Sequence, residues 1–170
     1  ESEIFIRELV QNALDAKASR IIVEFTQGGV GRLRIVDNGT GMSPEDARLC
    51  IQRHATSKIK SLVDLQQIGT LGFRGEALAS IASVSKFRLR TKHQGALAAT
   101  LVTVEGGSSV EVSESGGPVG TEIIVEDLFF NIPARRKFLK KPETESAHIV
   151  ETVQRLAVCY PTVAFKVVRE

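Results

Sequence analysis

The chain is poor in the residues that mark several common functions. It has no Trp, one Tyr and one Met among 170 residues, and aromatic residues make up 5%. Stacking successive bases on aromatic side chains is therefore excluded as a main mode of nucleic-acid binding. Its two cysteines, Cys50 and Cys159, stand far apart without metal-ligand spacing, and read as buried thiols of a reducing compartment. No stretch approaches the roughly 18 consecutive apolar residues of a membrane span. The Gly-x4-Gly-Lys-Ser/Thr phosphate loop of the common NTPases occurs nowhere. A formal net charge of +2 is too small to make nucleic acid the sole partner.

What remains is ordinary soluble material, 42% hydrophobic and 25% charged. A chain of this length fits one domain that buries roughly two-thirds of its unfolded surface. It opens Glu1-Ser2-Glu3-Ile4 with no initiator Met or signal-peptide pattern, starts at a helix and stops after a strand. That reads as a piece of a longer protein.

The stretch with most chemical content is Asp37-Asn38-Gly39-Thr40-Gly41, which ends the apolar run Leu33–Val36. Asp37 stands at the end of a strand as a fixed acceptor. Gly39 and Gly41 carry no Cβ and let a flat or bulky ligand approach the backbone. Alone, such a sequence is better explained by a plain strand-to-helix turn. Its neighbours change the balance.

Before it, Ile6, Leu9, Val10, Ala13 and Leu14 form the stripe of an amphipathic helix over 3–17. Glu8, Asn12 and Asp15 align on the opposite face, where a solvated surface and a Mg²⁺ and water site are alternative readings. Residues 20–26 and 32–37 make a β-hairpin through a glycine turn. Ser43-Pro44-Glu45-Asp46 starts a helix that runs to about Arg53. After it, residues 54–75 read as a mobile loop, a lid candidate with a brief helical piece after Ser61. Gly69-Thr70-Leu71-Gly72-Phe73-Arg74-Gly75 runs into a helix over 76–83, and a glycine-rich loop entering a helix N-terminus is a natural phosphate site.

From residue 86 the pattern is antiparallel β, with strands over 86–92, 98–104, 110–113 and 121–126. Asn131–Lys141 passes from a turn into a short basic helix, a last helix opens at Thr144, and 163–168 is a final strand. The fold class predicted is α+β: a two-layer α/β sandwich, its mixed, largely antiparallel sheet covered by helices on one face.

Four stretches in this order and spacing resemble the ATP-binding domain of the MutL family of DNA mismatch-repair proteins. They are Arg7–Ala16, the Asp37–Gly41 turn, Gly72-Phe73-Arg74-Gly75-Glu76-Ala77-Leu78, and Gly120-Thr121. The first, second and fourth are shared more loosely with type II topoisomerases, heat-shock chaperones and sensor histidine kinases. His54–Lys58, Gly72–Leu78 and Asn131–Leu139 are narrower and look like MutL. The resemblance covers essentially the whole chain and implies that the α/β sandwich is of the Bergerat ATP-binding type.

It implies ATP and Mg²⁺ as cofactors, with Glu8 as the general base that activates water and Asn12 as the metal ligand. Asp37 would accept from the adenine amino group, in a pocket shaped by Ala16, Gly39, Gly41, Met42 and Thr121. Thr56, Ser57 and Lys58, with Leu71, Gly72, Phe73, Arg74 and Gly75, would wrap the phosphates as the lid closes. Gln11 and Ile132 depart from the family's usual glutamate and threonine. The family also has a segment before this helix and a second domain whose lysine reaches the γ-phosphate, and both are expected outside this chain.

Implied partners are a second copy in the parent protein, the mismatch sensor MutS, downstream repair factors and DNA. DNA contact would be to backbone, independent of sequence, through Arg135, Arg136, Lys137, Lys140 and Lys141, for which a merely solvated face is the even alternative. No membrane is implied; the location would be cytoplasmic for a bacterial protein and nuclear for a eukaryotic one. Beside an ATP-driven clamp stand three other classes: a nucleotide-binding scaffold without turnover, a sensor-type phosphotransferase, and a simple DNA-binding module. Glu8 argues for the clamp, and the Gly72–Leu78 stretch argues against the phosphotransferase.

Overall fold

A computed structural model describes residues 2–52 and 74–170. Helix α1 spans Ser2–Asp15, and its predicted stripe is the buried face: Ile6, Leu9, Val10 and Ala13 are all inside. The helix stops two residues short of the expected end. Lys17 takes a left-handed φ of 61°. Ala18 N–H then closes onto the Ala13 carbonyl at 3.2 Å and Lys17 N–H onto Leu14 at 3.0 Å. This is the Schellman ending usually made with glycine, here made with lysine.

Strands β1 (Arg20–Thr26) and β2 (Arg32–Asp37) form the predicted hairpin around a short 3₁₀ turn at Gln27–Gly29. The following helix, α2 (Pro44–Leu49), has Ser43 as its N-cap, whose hydroxyl accepts from Asp46 N–H at 3.1 Å. It ends at Leu49, short of Arg53. Helix α3 (Arg74–Ser83) opens inside the Gly72–Leu78 motif.

Strands β3 (Lys86–Lys92), β4 (Ala99–Glu105), β5 (Glu111–Ser115) and β6 (Gly120–Glu126) lie within a residue or two of their predicted bounds. The basic turn holds helix α4 (Pro133–Lys137). Helix α5 (Pro142–Cys159) begins two residues before Thr144, and strand β7 is Ala164–Arg169.

These strands make one sheet in the order β5-β4-β3-β6-β2-β1-β7. Every pairing is antiparallel except β1 with β7, which α5 permits by carrying the chain back across the sheet. Alternation sends Ile21, Val23, Phe25, Leu33, Ile35, Phe87, Leu89, Ile123 and Val125 to one buried face. Helices α1, α3 and α5 cover it with Leu9, Ile81, Ile149 and Val153. Each large side chain so buried contributes about 1.5–3 kcal/mol.

The other face is charged. Arg34 sits between Glu24 and Glu122 at 2.9 and 2.6 Å, and Arg90 reaches Glu122 at 3.0 Å. A face built this way needs no second helical layer, so the fold has two layers. One expectation fails: Cys159, read as buried, is exposed at the end of α5, and only Cys50 is partly buried. Leaving a terminal-turn cysteine in water costs little because its thiol packs as a small group.

Candidate functional site

The Asp37 turn is fastened at several points. Asn38 Oδ1 accepts from the backbone N–H groups of Ser19 and Arg20, both at 2.9 Å, and its amide donates to Ser19 Oγ at 2.8 Å. Thr40 N–H donates to the Ala16 carbonyl at 2.9 Å. Gly39 lies so close to the end of α1 that a Cβ there would stand 2.7 Å from the Ala16 oxygen. Gly41 has φ of 69°, and a Cβ on it would fall 2.0 Å from the Lys92 carbonyl oxygen. Both glycines are therefore required by close backbone approach. Beyond them, Met42 N–H donates to Thr91 Oγ1 at 2.9 Å.

This turn forms one wall of a cavity of about 290 Å³. Helix α1 contributes Leu9, Asn12, Asp15 and Ala16; the sheet contributes Ile35, Asp37, Thr121 and Ile123. Gly41, Met42, Cys50 and Leu78 of α3 complete the lining. The walls are thus mostly apolar with a few polar groups, the usual character of a small-molecule site.

Asp37 is the carboxylate placed against those apolar walls. Burial pushes its carboxyl up to about 6 from the ordinary 3.8, while the backbone N–H groups of Gly39 and Thr121 pull the other way. The Gly39 N–H bond to Oδ1 measures 2.8 Å. Asp37 and Thr121 are direct partners across the β2–β6 ladder. The Cys50 thiol is pushed up to about 12 by burial and then by Asp46, and it donates to the Ala47 carbonyl at 3.0 Å. It is an unreactive part of the wall.

Of the predicted site residues, Asn12, Ala16, Asp37, Gly41, Met42 and Thr121 come together in this cavity. Gly39 lies beneath it against Ala16. Glu8 is half-buried one turn before Asn12 on the same helix and is not part of the lining. Asp15, on that face too, accepts from Gln11 Nε2 at 3.3 Å. Arg74 and Gly75 stand in the first turn of α3. Thr56, Ser57, Lys58, Leu71, Gly72 and Phe73, and the lid reading with them, lie outside the described residues.

The apolar walls follow from the alternation of Ile35 and Ile123, but nothing in the sequence pointed to Cys50 or to Thr91 behind the turn. Among the described residues no group of three or more His, Cys, Asp or Glu side chains could hold a metal. None of their helices is long and apolar enough to cross a membrane. The basic residues Arg135, Arg136, Lys137, Lys140 and Lys141 are all exposed, with the Arg135 guanidinium 4.5 Å from the Phe129 ring centre.

Residues 1–116 match the family described as "Histidine kinase-, DNA gyrase B-, and HSP90-like ATPase". A DNA mismatch repair protein MutL of Syntrophobacter fumaroxidans is 54% identical over 162 residues, 95% of this chain and 24% of its own length. The MutL of Opitutus terrae is 53% identical over 97% of this chain and 26% of its own. The chain thus spans about a quarter of the length of the curated relatives it matches. The Aquifex aeolicus MutL ATPase domain complexed with ADP superposes with a TM-score of 0.80 at 37% identity, covering all of this chain and 60% of that one. The chain belongs to the histidine kinase-, DNA gyrase B- and HSP90-like ATPase family, and within it to the MutL-type mismatch-repair ATPase domains.

Proposed function

We propose that this chain is the ATP-binding and ATP-hydrolysing unit of a longer mismatch-repair protein, one in which nucleotide binding drives lid closure, dimerisation and signalling to repair partners. One observation carries the reading: the Asp37 carboxylate lines a mostly apolar cavity of about 290 Å³, beside the helix that bears Asn12 and Glu8.

In this reading the base lies between Ile35, Met42, Leu78 and Ile123, and its exocyclic amine donates to Asp37. The phosphates leave the cavity toward the start of α3, and Arg74 and Gly75, together with Leu71, Gly72, Phe73, Thr56, Ser57 and Lys58, hold them. A helix N-terminus offers N–H donors and a positive dipole end to such charge. Glu8 orients the attacking water and takes its proton as the oxygen adds to the γ-phosphorus and the bond to the β-phosphate oxygen breaks, releasing ADP.

Among the described residues, the donor set near the cavity, Asn12 with Asp15, offers a few oxygens and no closed metal cage. That fits Mg²⁺, which keeps several waters and takes phosphate oxygens, and Asn12 would hold it. Bound there, the ion would neutralise charge on the transferred phosphoryl group.

The whole protein would act as a homodimer with a MutS-type mismatch sensor and downstream repair factors, and touch DNA backbone through the α4 basic residues. Its place would be the cytoplasm of a bacterium, or the nucleus of a eukaryotic cell. The position of Glu8 outside the cavity lining favours, as a second reading, a scaffold that binds nucleotide without turnover.

Calorimetric titration with a non-hydrolysable ATP analogue, with and without Mg²⁺, tests the binding half. Saturable, Mg²⁺-enhanced binding that GTP does not match is the expected result; equal affinity for ATP and GTP would remove Asp37 from its role.

A further inference from the structure

Of the three polar residues aligned on α1, Asp15 alone has no step of its own in ATP hydrolysis. It ends the helix and lines the cavity while remaining exposed, which places it at the rim. Gln11, one turn earlier, donates from Nε2 to Asp15 Oδ1 at 3.3 Å and steadies the carboxylate. An ionised carboxylate only accepts, and its two oxygens have room for several donors at once. The bond from Gln11 is therefore compatible with a further one from a ligand.

Position along the helix decides which part of a nucleotide meets Asp15. The cavity follows α1 from Leu9 to Ala16, about 10 Å at the helical rise. Gly39 packs on Ala16 and Thr40 N–H donates to the Ala16 carbonyl, so the Asp37 turn marks that end as the base end. The opposite end leads toward Glu8, one residue beyond Leu9 and about 10 Å along the axis from Asp15. Asp15 thus stands beside the base end and well back from the residue assigned to the γ-phosphate.

Between base and phosphates a nucleotide carries its ribose, whose two neighbouring hydroxyls are donors. A carboxylate suits them, whereas against phosphate oxygens it would meet like charge. We infer that Asp15, steadied by Gln11, is the ribose-binding residue of this cavity: it accepts a hydrogen bond from a ribose hydroxyl and makes the site prefer nucleotides that carry that hydroxyl. The inference rests on the reading of this cavity as the adenine-nucleotide site.

Calorimetric titration of the full-length protein with ADP, 2′-deoxyADP and 3′-deoxyADP tests it without turnover. ADP should bind about threefold to tenfold more tightly than at least one deoxy analogue, the scale of one hydrogen bond. Asp15→Ala, at an exposed helix end where folding is little affected, should bring that ratio to about one. Loss of the rim charge alters the affinity of all three nucleotides alike, so the ratio isolates the bond to the hydroxyl. Gln11→Ala should lower the ratio part of the way, and a parental ratio there would remove Gln11 from the proposal.

Equal affinity of the parent for all three nucleotides, or a parental ratio in Asp15→Ala, would overturn the inference. A parental ratio joined to loss of Mg²⁺-dependent affinity would place Asp15 at the metal instead. Asp37→Asn separates the two levels. If it leaves ADP affinity untouched, the adenine reading fails and the Asp15 inference with it. If it collapses ADP affinity while Asp15→Ala keeps the parental ratio, only the Asp15 inference fails.

Discussion

The backbone N–H of Thr40 donates to the carbonyl oxygen of Ala16 at 2.9 Å, joining the glycine turn to the end of the helix that bears Glu8 and Asn12. Two motifs that are 21 residues apart from Ala16 to Asp37 thereby become one rigid unit. The carbonyl at the end of α1 would otherwise lack an intrahelical partner. Its satisfaction by the turn sets how far Asp37 stands from the helix face.

Gly39 is the residue that makes this approach possible, so Gly39→Ala should be costly. Its Cβ would stand 2.7 Å from the Ala16 oxygen and 2.8 Å from the Ala16 Cβ, inside contact distance of both. A loss of about 1–3 kcal/mol, the usual result of forcing a group into a packed site, is expected in denaturant unfolding. Nucleotide affinity should fall as well, because relief of the clash moves Asp37. Parental stability in this variant would mean that the turn and helix are not held together as described.

Asn38 and Asp37 are adjacent, and their substitutions should separate stability from binding. Asn38 holds Ser19 and Arg20 through bonds of 2.9 Å and is not part of the cavity lining. Asn38→Ala orphans two backbone donors and should cost about 1–2 kcal/mol. The ATP-to-GTP affinity ratio should stay at the parental value. A changed ratio with unchanged melting temperature would reverse these assignments.

Asp37→Asn should do the opposite: weaken ATP binding and stabilise the free protein. The folded-state pKa of Asp37 is raised to about 6 from 3.8, chiefly by burial. The folded protein therefore holds this proton more tightly than the unfolded chain. The contribution to stability is fully present below the unfolded value and is lost as pH rises through about 6. At neutral pH the burdened carboxylate costs at most about 3 kcal/mol, less whatever solvent reaches this partly buried group. Melting curves at pH 8 should show the variant above the parent, with the gap closing by pH 4. A gap of equal size at both pH values would mean that charge is not its cause.

How much of this was legible in the sequence differs from element to element. The α1 stripe and the alternation in Arg20–Thr26 and Arg32–Asp37 are local patterns, and local physics honours them. The strand order is not local. That β6 lies between β2 and β3, and that β7 pairs parallel with β1, depends on which buried faces meet. The helix ends moved for identifiable reasons. Lys17 adopts a left-handed turn that composition would assign to glycine, and Pro142 lets α5 start before Thr144.

At the site, Asp37, Gly41 and Asn12 carry signals of residue type and spacing. Thr91 carries none. An isolated threonine in a strand looks like any other β-former, and its hydroxyl acquires meaning only once β3, β6 and the Gly41–Met42 turn converge on it.

Glu8 and Asn12 lie one turn apart on α1, and their substitutions should fail in different ways. Asn12 lines the cavity, whereas Glu8 does not, so the two are placed for different partners. If Asn12 holds Mg²⁺, Asn12→Ala should lose the Mg²⁺-dependent part of ATP affinity together with rate. If Glu8 serves only the attacking water, Glu8→Ala should bind Mg²⁺ and ATP almost as the parent does. Its turnover should fall by about 10²–10⁴-fold, the usual contribution of a positioned general base. Single-turnover phosphate release and calorimetry on the same preparations separate rate from affinity. The comparison belongs in the full-length protein, since this chain covers about a quarter of its curated relatives. A Glu8→Ala protein that hydrolyses ATP at the parental rate would make Glu8 part of a solvated helix face. Nucleotide binding at Asp37 would then stand without the catalytic role assigned to α1.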